Sequence, residues 1–147
     1  MVRISLPLVL LVVSVVAALG STACRSLYIP SPKPIPAAVN DDAALDREAM
    51  RVFANSIGNA EPLSARVVSP FRVELDPLTS APVRRFVDIV IVSKSKVVDN
   101  GCMWEQYRFW QTHAGGGLYE TALHSAGSVK LGGLDCASPD AQPLSAN

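Results

Sequence analysis

The sequence predicts an α+β domain in which one N-terminal helix packs on an antiparallel sheet of about four meandering strands. Apolar residues first recur every three to four positions, and from residue 65 onwards they alternate or form β-branched runs. A helix followed only by strands favours an antiparallel sheet over a parallel one. The length of 147 residues fits one such domain.

The helix is predicted to begin at Asn40-Asp41-Asp42, because Asn and Asp side chains cap the free backbone N–H groups of a helix start. An apolar stripe at helical spacing follows it, made of Leu45, Ala49, Val52, Phe53 and Ile57. Gly58 suits a left-handed stop, which gives a half-buried helix of about 17 residues.

Two strands are predicted next. Ala65–Leu75 has strand composition, and Pro70 within it indicates an edge strand or a bulge because proline cannot donate to a sheet ladder. Arg85–Val98 is the strongest strand, and its β-branched core at Val87–Val92 indicates a central position or cover on both faces. A turn signal at Asp99-Asn100-Gly101 ends it.

Cys102–Leu131 is predicted to form a hairpin around a two-residue turn at Gly115-Gly116. That register pairs Trp110 with Thr121, Tyr107 with His124 and Cys102 with Val129. The domain is expected to cover residues 41–137, and residues 138–147 are expected to form a flexible tail. In element order it is similar to cystatin-like and NTF2-like rolls, a resemblance without motifs that implies nothing about function.

The first 23 residues are predicted to be a signal peptide. Arg3 is followed by an uncharged stretch, Ile4–Leu19, and then by the small residues Gly20–Ala23. The stretch is shorter than the roughly 20 residues of a spanning helix and contains Pro7, which disfavours an uncleaved anchor.

Two cleavage modes are compatible with the end of this leader. Ser21 and Ala23 are small residues that ordinary signal peptidase accepts. Gly20–Cys24 also resembles the lipobox of bacterial lipoproteins, although Ser21 stands where most lipoboxes have leucine. The resemblance covers only the leader and Cys24, and it implies a cysteine that carries several acyl chains, palmitate among them, and anchors the protein to a membrane.

The cysteine count supports the lipoprotein interpretation. The chain has three cysteines, and an odd thiol in an exported protein needs an explanation. If Cys24 carries lipid, Cys102 and Cys136 are the only possible disulfide pair. Such a bridge would close the open end of the hairpin and stabilise the domain by about 3–4 kcal/mol.

The resemblance also implies a location. Arg25 follows Cys24 in place of the aspartate that retains enteric lipoproteins in the inner membrane, so the periplasmic side of the outer membrane is expected. A secreted or soluble periplasmic protein is the alternative. Residues 24–40 are expected to comprise the lipidated Cys24 and a linker of sixteen residues, 25–40. Prolines at alternate positions from Pro30 to Pro36 favour polyproline II, which gives this linker a reach of up to roughly 50 Å.

Composition and motifs indicate no particular catalytic chemistry. Without the leader the net charge is close to −1, which argues against nucleic acid as a partner. His113 and His124 lack the spacing of a metal or catalytic motif, and no cofactor is expected. Whether the protein is an enzyme stays open at this stage, with a non-enzyme favoured.

Lys94, Lys96, Trp104 and Trp110 form the candidate binding surface. Strand alternation places Trp104 and Trp110 on one face, and Tyr107 and Phe109 on the other, so one aromatic pair is free for a partner. We expect a non-enzymatic binding or accessory module of the cell envelope with a protein partner. The alternatives are an inhibitor of a lysozyme or protease, and a small ligand-binding or hydrolytic roll.

Overall fold

The structure, a computed structural model, describes residues 30–99 and 101–141. The leader, Cys24 and the last six residues of the predicted tail lie outside these described residues. The elements are helix α1 (Ala43–Ser56), strands β1 (Ala60–Val67), β2 (Arg72–Leu75), β3 (Pro82–Ser95), β4 (Gly101–Gly115), β5 (Leu118–Tyr119) and β6 (His124–Asp135), and a 3-10 helix, Pro139–Ala141.

The strands form one curled antiparallel sheet, a half-barrel whose inner face holds the helix. β1 and β2 pair in succession with one edge of β3, and β4 pairs with the other edge. β5 and β6 both pair with the far edge of β4. The predicted α+β class is therefore confirmed, but the sheet has six strands in place of four.

The chain that pairs with the outer edge of β3, and the chain that pairs with the outer edge of β4, are each interrupted and so form two strands. These interruptions account for the two strands beyond the predicted four. Pro70 lies between β1 and β2, where its missing N–H ends the ladder. Between β5 and β6 the chain leaves the sheet and folds over the inner face, and Leu123 is only 4% exposed there. Burial of this leucine in the core stabilises the interruption.

The predicted hairpin register is wrong. Gly115 pairs with Leu118, which places the turn at Gly116-Gly117. Trp110 pairs with His124, Tyr107 with Ser128 and Cys102 with Leu134. The register shifts repeatedly along the hairpin because of the loop before β6 and further irregularities between Gln106 and Phe109.

Helix α1 begins as predicted and ends earlier than predicted. Asp42 is the N-cap, and its carboxylate accepts a hydrogen bond of 3.0 Å from the backbone N–H of Leu45. The helix has 14 residues and stops at an extended Ile57, whose N–H still donates to Phe53. Gly58 is not left-handed, so the glycine stop is wrong.

The main core lies between α1 and the inner face of the sheet. Leu45, Ala49 and Phe53 of the helix pack against residues of β1, β3 and β4 and of the loop before β6. The strand and loop members of this core are Ala65, Val67, Val87, Ile89, Ile91, Tyr107, Phe109 and Leu123. The residues from Val87 to Val92 are buried on both faces of β3, as their composition predicts.

The second half of the predicted linker covers part of the outer face. Ile35 packs against a smaller cluster made of Val90, Val92 and Trp104. The Trp104 indole Nε1–H donates to the carbonyl of Lys33 at 3.0 Å. Residues 30–40 therefore lie on the domain, so the expected reach of a free sixteen-residue spacer does not apply to them.

The contact with the end of β6 depends on a glycine. Pro32 forms an isolated parallel bridge with Gly133, whose N–H donates to Ser31 and whose carbonyl accepts from Lys33. A Cβ atom at Gly133 would lie 1.9 Å from the carbonyl oxygen of Pro30, far inside contact distance. The close approach of the two backbones requires a residue without a side chain here.

The predicted disulfide between Cys102 and Cys136 is present. It joins the start of β4 to the residue just after β6.

Part of the predicted tail also packs on the domain: Ala141 is buried, and Asp140 forms an ion pair of 3.0 Å with Arg66. No helix within residues 30–99 and 101–141 has the length and apolar character needed to cross a membrane.

Candidate functional site

The outer face of the sheet is covered at one end and open at the other. The open end, called here the aromatic–arginine face, is formed by Arg72, Glu74, Arg84, Phe86, Arg108, Trp110 and His124. These residues share one side because directly paired positions in an antiparallel sheet project from the same face. They come from strands β2, β3, β4 and β6.

Arg84 holds two aromatic rings and one carboxylate together. Its guanidinium carbon lies 5.2 Å from the ring centroid of Phe86 and 5.5 Å from that of Trp110. The same group binds the carboxylate of Glu74 on the neighbouring strand. The hydrogen bond from Arg84 lowers the pKa of Glu74, so this pair stays ionised at neutral pH.

Trp110 is half-buried and contacts a second ring. The imidazole of His124 stacks on it, with 4.3 Å between centroids and 21° between planes. This pair results from the true register, because the predicted register placed His124 against Tyr107. His113 packs edge-on against Tyr119 near the turn, on the opposite side of the sheet from His124.

Asp88 pairs with Arg108 beneath the aromatic–arginine face and is buried, at 6% exposure. Its carboxylate accepts hydrogen bonds from Arg108 at 2.9 Å, Arg72 at 3.1 Å and Gln106 at 3.4 Å. The bond with Asp88 raises the pKa of Arg108, which stays cationic. One buried carboxylate therefore holds two partly exposed arginines in fixed positions.

The charge balance of this face is positive. Arg84 is matched by Glu74, but Arg72 and Arg108 share the single negative charge of Asp88. A shallow groove of about 330 Å³ runs between these side chains, lined by Arg72, Val73, Glu74, Phe86 and Arg108. Ordered arginines beside aromatic rings recognise carboxylate-bearing partners, and nothing in this set resembles a nucleophile with its base.

The structure separates the residues predicted as the candidate binding surface. Trp110 lies at the open end, whereas Trp104 is 4% exposed under Lys33 and Ile35. Lys94 pairs with Cys102 at the disulfide end of the sheet, and Lys96 follows just beyond. Both lysines are exposed but lie far along β3 from Trp110.

Sequence reasoning missed most of this face. Of its residues the sequence pattern singled out Trp110, and not Arg84, Phe86 or Arg108. Their alternation in the runs Arg84–Asp88 and Arg108–Trp110 was a usable signal, because these positions share a face when the two strands pair antiparallel.

No protein-family model matches the chain, and no match was found among curated proteins or among solved structures. In the described part of the chain, no group of three or more His, Cys, Asp or Glu side chains is arranged to hold a metal ion.

Proposed function

We propose that this protein is a lipid-anchored, non-enzymatic binding module of the bacterial cell envelope, and that it binds a protein partner through the aromatic–arginine face. The observation that carries the proposal is the open end of the outer face, where the Trp110 ring contacts both the guanidinium of Arg84 and the imidazole of His124. Tryptophan and arginine are the residues most enriched at the energetic centre of protein interfaces.

The partner that fits this face presents acidic side chains beside an apolar group. Arg72 and Arg108 are oriented by Asp88 and keep exposed surface, with side-chain exposures of 54% and 40%. Because their shared carboxylate neutralises only one of them, a carboxylate from a partner restores the balance. Phe86 and Trp110 provide the adjoining apolar area.

The position of the chain's N-terminal side supports a tethered arrangement. Residues 31–33 contact Gly133, which lies across from Met103 near the start of β4. Trp110 is seven positions further along that strand, or roughly 24 Å at about 3.4 Å per residue. A lipid on Cys24 would therefore hold the domain by one end and leave the proposed binding surface toward the other.

The inhibitor alternative has less support. A protruding loop braced by the disulfide would favour an inhibitor of a lysozyme or protease. The Cys102–Cys136 bridge instead closes the paired ends of β4 and β6 beside the N-terminal segment. The exposed turn Asp76–Ala81 is instead braced by the hydrogen bonds of its own Asp76, at the other end of the sheet.

Binding can be tested by crosslinking intact envelopes and capturing the full-length protein. We expect a specific envelope protein to be captured by the wild type and lost with Trp110→Ala and with Arg108→Ala. Lys96→Ala is the matched control, since Lys96 is exposed and lies at the disulfide end. Equal capture by the wild type and the Trp110→Ala variant, or equal loss with Lys96→Ala, would contradict the proposal.

Anchoring needs a separate experiment, because binding and lipidation can fail independently. Labelled palmitate is expected to enter the wild type and to be absent from Cys24→Ala, which should also be released from the membrane fraction. Cys136→Ser serves as the control for removal of a cysteine as such. Equal labelling of the wild type and the Cys24→Ala variant would rule out the lipoprotein assignment.

A further inference from the structure

A second site lies on the inner face of the sheet, in the cleft between the first half of α1 and the strands. The cleft has a volume of about 550 Å³, within the range of small-molecule sites. Arg85, Phe71, Gln111 and Leu45 are among its lining residues, together with the Glu48 and Arg51 side chains of the helix. None of these residues belongs to the aromatic–arginine face.

Arg85 is fixed in this cleft by contacts from three strands or their flanks. Its guanidinium carbon lies 3.8 Å from the ring centroid of Phe71 and 4.5 Å from that of Tyr119. Its Nε–H donates to Gln111 Oε1 at 2.8 Å. Gln111 is itself buried, and its amide donates to the Thr121 carbonyl at 3.3 Å. The arginine is thus oriented before any ligand arrives.

No carboxylate compensates this cation. Within residues 30–99 and 101–141, no acidic oxygen lies within 4.0 Å of Arg85. The two acids that line the cleft are already engaged: Asp42 caps the helix, and Glu48 forms a two-point pair with Arg51. That pair lowers the pKa of Glu48, so its charge is used by Arg51.

We infer that the Arg85 cleft is a binding site for a small anionic ligand, in which a carboxylate or phosphate group pairs with the guanidinium of Arg85. A guanidinium has five N–H donors in a planar fork, and only Nε–H is used here within the described protein. Phe71 and Leu45 offer apolar contact for the rest of the ligand. The site does not depend on the proposed envelope partner.

The test follows the Nε–Hε resonance of Arg85 in the ¹⁵N-labelled full-length protein, kept in non-ionic detergent. The probes are phenylacetate, phenyl phosphate and, as a neutral isostere, phenylacetamide. We expect at least one of the two anions to shift this resonance saturably, with a Kd of about 1 mM. Phenylacetamide should leave the resonance unchanged. Tighter binding of phenylacetate would identify a carboxylate site, and tighter binding of phenyl phosphate a phosphate site.

Two variants give the matched comparison, and their chemical shifts report directly whether they fold. Arg85→Lys keeps the charge and loses the planar fork, so probe affinity, followed on the backbone amides of the cleft, should fall by about tenfold. Arg47→Gln removes an exposed arginine of α1 that does not line the cleft, and it should leave affinity within about twofold. Absence of a saturable shift with both anions, equal binding of phenylacetamide, or equal losses in the two variants would overturn the inference.

Discussion

Two adjacent arginines on β3 illustrate how differently the two faces of the sheet treat the same side chain. Arg84 projects outward between Phe86 and Trp110 and pairs with Glu74. Arg85 projects inward between Phe71 and Tyr119 and pairs with the neutral amide of Gln111. Both cations contact aromatic rings, and only the outer one has a carboxylate.

The two arginines differ in whether a carboxylate of the protein already neutralises their charge. On the outer face Glu74 neutralises Arg84, and the surplus belongs to the two arginines on Asp88. On the inner face the surplus is Arg85 itself, held beside a cleft. An ordered cation that lacks a counter-charge is better suited to a ligand than one that is already paired, because no existing ion pair must be broken.

The largest expected change in the free energy of unfolding compares Phe109 and Trp110, neighbouring residues of β4 that lie on opposite faces of the sheet. Phe109→Ala removes a side chain that is 1% exposed in the inner core, so the free energy of unfolding should fall by about 3–5 kcal/mol. Trp110→Ala removes a half-buried ring on the outer face and should cost about 1–2 kcal/mol. Urea unfolding of both variants measures this, and equal losses would show that the two faces are not distinct.

The next effect concerns the buried acid of the outer face. Asp88→Asn removes the charge that Arg72 and Arg108 share, leaving two cations close together. The free energy of unfolding should fall by about 2–4 kcal/mol. Asp99→Asn, at an exposed turn, is the control and should change it by less than about 0.5 kcal/mol. Similar midpoints for the two variants in urea unfolding would contradict the assigned role of Asp88.

The smallest effect concerns Asp46, a buried acid on the helix side whose Oδ1 has no hydrogen-bond partner. Burial, reinforced by Asp42 and Asp41, raises its pKa from 3.8 to about 6. A raised carboxyl pKa means that the folded state binds the proton more tightly. The stabilising effect of that proton is therefore complete below about pH 4 and is lost as pH rises to about 6.

Asp46→Asn should remove this pH dependence and raise the free energy of unfolding at pH 7 by about 1 kcal/mol, since partial solvation screens part of the effect. Thermal unfolding from pH 4 to pH 7 measures the change. Asp140→Asn, an exposed acid paired with Arg66, is the comparison. An unchanged pH profile in the Asp46→Asn variant would show that its ionisation is not linked to folding.

Local patterns were sufficient to predict much of the fold. The apolar stripe from Leu45 to Ile57 identified the helix, and the Val87–Val92 run identified the central strand. Cysteine arithmetic predicted the Cys102–Cys136 disulfide. The helix and the strand depend on residues close in sequence, and the disulfide prediction followed once Cys24 was set aside as the predicted lipid site, which left one possible pair.

The candidate sites were harder to predict because their partners are distant and depend on register. Arg85 meets Phe71, Gln111 and Tyr119, which come from three other parts of the sheet. The His124–Trp110 stack depends on register shifts that a simple two-residue turn does not include. The N-terminal segment was predicted to stand free because proline spacing describes its backbone preference and not the surface that accepts it.

The bridge between Pro32 and Gly133 also bears on self-association. β6 is the last strand of its side, and at Gly133 its outward N–H and carbonyl are taken up by residues 31 and 33. Unpaired strand edges recruit strands from other molecules. Residues 31–33 therefore protect this edge of β6 from pairing with a second molecule. A chain that lacks the residues up to and including Ile35 would expose both this edge and Trp104, which would favour aggregation.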